Sequence, residues 1–229
     1  AEAAEGKSLI SIMLSKTLSE IDQKILLIDC DMRRPELHKR LNLNNINGLT
    51  NILTEKDGIK NWEKFVQDIP HNKSWKIITC GTIPPDPTRI LSSNRIKEFL
   101  NILNKEDKYD LILFDTPSSA TLSDASLVGS LCDGLIMVAS IDRVNKEIFS
   151  KALNRLNDLG NKVLGLVSNE CSKPKHKDQK LSDQYQEAYN IYSKSPSDDV
   201  KKNDQYSKES SKTSLVSKYL KKFNEWLDN

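Results

Sequence analysis

The sequence has little of what marks a secreted scaffold, a membrane span or a nucleic-acid binder. Its four cysteines, Cys30, Cys80, Cys132 and Cys171, are scattered, with no C-x-x-C pair, which excludes the usual zinc and dithiol redox signatures. Three of them sit at or just beyond the ends of apolar stretches, a pattern expected of buried thiols in a reducing cytosol. No apolar run approaches the ~18–20 residues that cross a bilayer, and no signal-peptide pattern is present, so this segment is expected to be soluble. Net charge is only +2, from 34 basic and 32 acidic residues. Such a balance gives no field that argues for nucleic acid, and it favours a small-molecule or protein substrate.

What is present is a strong alternation of strand and helix patterns. A chain of 229 residues with 37% hydrophobic content can hold one sizeable domain plus extra segments. Short, nearly continuous apolar runs at 24–29, 75–79, 110–114, 134–140 and 162–168 read as strands covered on both faces. Between them, 7–18, 94–104, 122–131 and 145–159 carry helical spacing, and Gly160 is placed to stop the last helix. The fold class expected is α/β: a mostly parallel sheet flanked by helices, of the P-loop NTPase kind.

Three regions are expected along the chain. Residues 1–171 form the nucleotide-binding domain. From 172 to 214 the composition turns to Lys, Ser, Asp and Gln, too polar to offset chain entropy, and disorder is expected. In 215–229 the residues Leu215, Val216, Tyr219, Leu220, Phe223, Trp226 and Leu227 share one helical stripe. That short helix either docks on its own domain or binds a neighbouring protomer or another protein.

The chemistry is concentrated in one constellation. Ala1-Glu2-Ala3-Ala4-Glu5-Gly6-Lys7-Ser8 matches the second half of G-x-x-x-x-G-K-[ST], with Ala1 at the first glycine position. Such loops follow a buried strand, so a first strand is expected upstream of residue 1. In this pattern the loop backbone at Ala4, Glu5 and Gly6 closes around phosphate oxygens, Lys7 offers a point charge to the β- and γ-phosphates, and the Ser8 hydroxyl ligates magnesium. The following helix adds its positive dipole end. A Gly-Lys-Ser tripeptide is also a common helix start, so the acidic segments downstream decide the reading. Ile25–Asp29 is a buried run ending in Asp29, with Asp31 one residue on, and 109–115 is a second run ending in Asp115. At the carboxyl ends of neighbouring parallel strands, these acids would lie beside the phosphate loop. Together they specify a site for ATP and Mg2+, although any one of them alone could be a turn cap.

These residues carry a family likeness. Asp29-Cys30-Asp31-Met32-Arg33-Arg34-Pro35 resembles the second acidic motif of the bacterial tyrosine kinases that control capsule and exopolysaccharide assembly. Further matching pieces are 48–53, Gly81-Thr82-Ile83-Pro84-Pro85-Asp86-Pro87, Phe114-Asp115-Thr116-Pro117, Ser123-Asp124-Ala125, Asp133-Gly134 and 163–169, so the likeness covers roughly residues 1–170. The resemblance implies transfer of the γ-phosphate to tyrosines in a C-terminal tail, usually that of a neighbouring protomer in a homo-oligomeric ring. It implies that Lys7 neutralises phosphate charge, that Ser8, Asp31 and Asp115 serve the metal, and that Asp29 accepts the tyrosine proton with Asp31 assisting. It also implies a membrane activator of the chain-length-determinant type, on the same chain or a separate one, and a place at the cytoplasmic face of the bacterial inner (plasma) membrane. Tyr185, Tyr189, Tyr192 and Tyr206 lie in the polar tail and are the phosphoacceptor candidates. Three of them, Tyr185, Tyr189 and Tyr192, also have the spacing of a helix face.

Two other readings compete. A partition or division-site ATPase switch carries a signature lysine five residues before the catalytic one, and here that position is Glu2, whose charge would repel a triphosphate. The other is a polysaccharide co-polymerase domain whose nucleotide site is regulatory and lacks transfer activity.

Overall fold

A computed structural model describes residues 6–118, 123–140 and 145–169. The chain divides into two compact units, Ala1–Cys171 and Ser172–Asn229, and every described residue belongs to the first. Elements follow in the order α1 (Lys7–Ser19), β1 (Ile25–Asp29), α2 (Leu37–Arg40), α3 (Leu49–Thr54), β2 (Val66–Ile69), β3 (Asn72–Ile78), α4 (Pro87–Leu91), α5 (Asn94–Glu106), β4 (Leu111–Asp115), α6 (Asp124–Gly129), β5 (Leu135–Ser140), α7 (Lys146–Asp158) and β6 (Val163–Asn169).

The strands form a four-stranded sheet of order β2-β3-β1-β4 and a separate parallel pair, β5-β6. β1 runs parallel to both β3 and β4, and its register sets Asp29 directly beside Asp115. Only the short β2 is antiparallel among the described residues; it closes the edge against β3.

The continuous apolar character of β1 follows from its central place. Ile25 and Leu27 enter one buried cluster with Leu37, Trp75 and Ile77, while Leu26, Ile28 and Cys30 enter the other with Phe99, Leu103 and Val128. Because successive side chains alternate between faces, only a strand covered on both sides needs every position apolar. All four β1 residues from Ile25 to Ile28 have no solvent exposure, and each contributes about 1.5–3 kcal/mol of burial. Ile12 and Leu18 of α1 cover the first face, and Ile96, Phe99, Leu100 and Leu103 of α5 cover the second.

The helix ends explain where the chain turns. Asn145 caps α7 by accepting from the Glu147 and Ile148 N–H groups. At the other end Gly160, at φ +75°, lets its N–H reach the Asn157 carbonyl and the Asn161 N–H reach Leu156. That pairing is a Schellman motif, and its left-handed position favours glycine. The cysteines match expectation as far as they are described: Cys30 and Cys80 are buried, Cys132 is half-buried, and all three are free. Burial pushes the Cys80 thiol up to about 12 and Cys132 up to about 11, so neither is a reactive nucleophile. The expected tail disorder, the terminal helix and Cys171 lie outside the described residues.

A candidate nucleotide and phosphotransfer site

Gly6 stands at the N-cap of α1 with φ +88° and without a side-chain cap. A Cβ at this position would run into the side-chain amide of Asn169, at the end of β6. Glycine is therefore required both by the left-handed backbone and by the close approach. From Gly6 the helix starts at once, with the Ile10 N–H donating to the Gly6 carbonyl at 2.9 Å. Lys7 and Ser8 thus occupy its first turn, where unpaired N–H groups and the helix dipole favour anions. Ala4 and Glu5 lie outside the described residues.

The two strand ends bring the acids to this helix. Ser11, one turn beyond Ser8, donates to Asp115 Oδ1 at 3.3 Å, and the Ser8 hydroxyl lies near enough to the same carboxylate to hold its pKa down. Burial pushes Asp115 up to about 6; the two serine hydroxyls and the Lys7 charge oppose that rise, and Asp31 adds to it. Asp29 is fully buried. Burial first, and the neighbouring Asp115 second, push it up to about 8, against the pull of the Asp31 N–H. That N–H donates to Asp29 Oδ1 at 3.1 Å, whereas Asp29 Oδ2 is buried without a hydrogen-bond partner. An orphaned buried carboxylate oxygen beside a second carboxylate is costly, and a cation or a proton donor relieves it.

Asp31 is half-exposed, and its Oδ1 accepts from the N–H groups of Arg33 at 3.2 Å and Arg34 at 2.9 Å. This Asx-type turn folds the loop after β1 back over the strand end. Among the described residues, no three His, Cys, Asp or Glu side chains form a metal cage. Magnesium does not need one, since it keeps waters and phosphate oxygens as ligands beside one or two carboxylates. The donor set of Ser8, Asp31 and Asp115 fits that demand.

Of the residues expected from sequence, Lys7, Ser8, Asp29, Asp31 and Asp115 converge here, while Tyr185, Tyr189, Tyr192 and Tyr206 lie outside the described residues. Sequence reasoning missed Ser11, although its place one turn beyond Ser8 puts both on one helix face. It also missed Asn169 as a neighbour of Gly6; no local pattern predicts that contact.

A glycine-started helix facing acids at the ends of adjacent parallel strands defines a P-loop NTPase, and proteins of this class bind nucleotide. The model of the ParA family, described as NUBPL iron-transfer P-loop NTPase, matches residues 4–203. The tyrosine-protein kinase YwqD of Bacillus subtilis is 35% identical over 172 residues, 75% of this chain and 70% of that protein. Within the P-loop class, the chain belongs to the bacterial tyrosine-protein kinases. The kinase domain of Escherichia coli tyrosine kinase ETK superposes with a TM-score of 0.68 at 29% identity, covering 76% of this chain and 67% of that one. A septum site-determining protein MinD from Pyrococcus horikoshii, complexed with Mg-ADP, shares the fold at a TM-score of 0.58 and 21% identity, over 79% of this chain and 74% of that one.

Proposed function

We propose that this site transfers the γ-phosphate of ATP to tyrosine hydroxyls, with Tyr185, Tyr189, Tyr192 and Tyr206 of a neighbouring copy's tail as acceptors. The observation that carries the reading is the pair of register-matched carboxylates, Asp29 beside Asp115, next to the Gly6-Lys7-Ser8 helix start. In the reaction the tyrosine oxygen bonds to the γ-phosphorus, the bond to the β-phosphate oxygen breaks, ADP leaves, and the phenolic proton passes to Asp29.

Lys7 sets its charge against the β- and γ-phosphates, and the Gly6 backbone and the first turn of α1 hold the phosphate oxygens. Ser8, Asp31 and Asp115 would hold Mg2+, which when bound neutralises charge on the transferring phosphate. In the ligand-free protein, burial and the neighbouring Asp115 push the Asp29 carboxyl up to about 8, so at neutral pH it holds a proton of its own. Cation binding beside Asp115 favours the ionised form of Asp29 that the transfer needs.

The kinase reading extends to the setting implied by the family. The protein phosphorylates itself at the cytoplasmic face of the inner membrane, as a homo-oligomer joined to a membrane activator of the chain-length-determinant type, and so regulates capsule or exopolysaccharide chain length and export. Among the described residues no helix is long and apolar enough to cross a membrane, so a membrane-spanning activator region would lie elsewhere or on another chain. The strand expected ahead of Gly6 belongs to the same proposal: β4 and β5 each have one partner among the described residues, which leaves an edge on each for a further strand.

The test mixes two variants of the protein with Mg·ATP, one lacking residues 172–229 and the other full-length and carrying Lys7→Met. Phosphotyrosine on the Lys7→Met chain supports transfer to a neighbour. Release of inorganic phosphate with no phosphotyrosine on either form, or on the unaltered protein, would instead support an ATPase switch.

A further inference from the structure

Three sequence motifs have no part in the proposed chemistry: Arg33-Arg34-Pro35 after β1, the proline-rich 84–87 segment after β3, and Ser123-Asp124-Ala125 after β4. The structure joins the first and third to each other and to Thr88, the residue that follows the second. Arg33 Nε donates to Asp124 Oδ2 at 2.7 Å, and Arg33 Nη2 donates to Thr88 Oγ1 at 2.9 Å. Thr88 Oγ1 in turn donates to Asp124 Oδ1 at 2.7 Å. Asp124 has 1% side-chain exposure while Arg33 keeps 37%. A closed triangle of this kind satisfies the buried carboxylate at both oxygens, as a buried charge requires.

Its position is the informative feature. The three corners are contributed by the segments leaving β1, β3 and β4, which are adjacent in the sheet in the order β3-β1-β4. Those carboxyl ends are where an open α/β sheet binds its ligand. The triangle is also continuous with the candidate site: Arg33 donates its N–H to Asp31 Oδ1, and the Asp31 N–H donates to Asp29 Oδ1. With its guanidinium engaged by Asp124 and Thr88, Arg33 is turned to the support of the loop. The chain of bonds runs from α6 through Arg33 and Asp31 to the buried acid.

We propose that Arg33, Thr88 and Asp124 form a clamp that positions Asp31, and through it the Asp29 carboxylate, for phosphoryl transfer, with Arg33 a positioning residue that does not touch the nucleotide. This rests on the phosphotransfer reading of the site for its kinetic consequence. Its structural consequence, a fixed geometry at the metal-binding carboxylates, does not depend on transfer.

The test uses the full-length protein with Thr88→Val, Thr88→Ser, Asp124→Asn and the Thr88→Val/Asp124→Asn pair. Tyrosine phosphorylation gives kcat and KM for ATP, and calorimetry gives ADP affinity with and without Mg2+. Thr88→Val keeps the side-chain shape and removes both hydrogen bonds, so it reports on the clamp even where Asp124→Asn fails to fold. Loss of a supporting partner around a metal site lowers activity or metal affinity about 10- to 100-fold. Thr88→Val is therefore expected to lower kcat about 10-fold with KM for ATP unchanged, and to reduce the Mg2+-dependent gain in ADP affinity by a similar factor. Thr88→Ser should restore both, and the double variant should lose no more than Asp124→Asn alone, since the groups act as one unit. The clamp is overturned if Thr88→Val keeps wild-type kcat and Mg2+-dependent affinity. A higher KM at constant kcat, or loss of Mg2+-independent ADP affinity, overturns it too, by placing these groups on the nucleotide. Should the unaltered protein transfer no phosphate to tyrosine, the kinase reading fails and the Mg2+-dependent affinities alone decide the clamp.

Discussion

Replacing Asp29 by asparagine should change how the stability of the ligand-free protein depends on pH. The carboxyl is fully buried and is pushed up to about 8, by burial first and by the neighbouring Asp115 second. In the unfolded chain it titrates near 4. Between those values the folded protein keeps a proton that the unfolded chain releases, so stability falls as pH rises, by up to about 1.4 kcal/mol per pH unit. From pH 5 to pH 8 the wild-type protein should lose about 2–4 kcal/mol from this group. Asparagine does not titrate and removes that slope, while its amide, placed at the orphaned Oδ2 position, adds a roughly constant penalty of about 1–3 kcal/mol. Urea unfolding of both proteins at several pH values from 5 to 8 gives the difference directly. The asparagine variant should gain on wild type steadily across the range. Parallel stability curves for the two proteins would mean instead that Asp29 is ionised in the fold at an ordinary pKa.

Other outcomes follow from the same structure. Lys7→Met should abolish phosphotyrosine formation while leaving the urea midpoint near wild type, since the side chain starts a helix at the surface of the site; near-normal autophosphorylation would refute its role. Phe99, fully buried in the core over β1 and β4, should cost about 3–5 kcal/mol on truncation to alanine, read as a lower urea midpoint. Asn145→Ala removes the acceptor for two N–H groups of α7 and should cost about 1 kcal/mol. Unchanged stability would mean that the helix start is held by other means.

The parallel strands were legible because burial on both faces leaves no polar position to interrupt them. The expected run at 24–29 became β1, and that at 110–114 became β4, each within a residue at its ends. Asp29, Asp31 and Asp115 were legible for the related reason that a charged residue ending such a run has little structural purpose. β2 was not visible: Val66–Ile69 is short, half-exposed and paired at an edge, so its composition carries no clear period. The short helices α2, α3 and α4, of four to six residues, are held by loop contacts such as the Leu49 N–H to the Thr79 carbonyl, and intrinsic helical pattern does not reach them. The Arg33–Asp124 pair spans 91 residues of sequence. Nothing local predicts it, because it depends on which strands become neighbours.

One lysine, one serine and the acids at two strand ends are proposed to hold a magnesium-bound nucleotide. Calorimetry of ADP binding to full-length wild type and Asp115→Asn, with and without Mg2+, decides whether they do. Mg2+ should strengthen wild-type binding at least about 10-fold, and Asp115→Asn should keep the Mg2+-free affinity while losing most of that gain. Absence of nucleotide binding, or a Mg2+ effect that survives intact in Asp115→Asn, would rule out this arrangement of ligands.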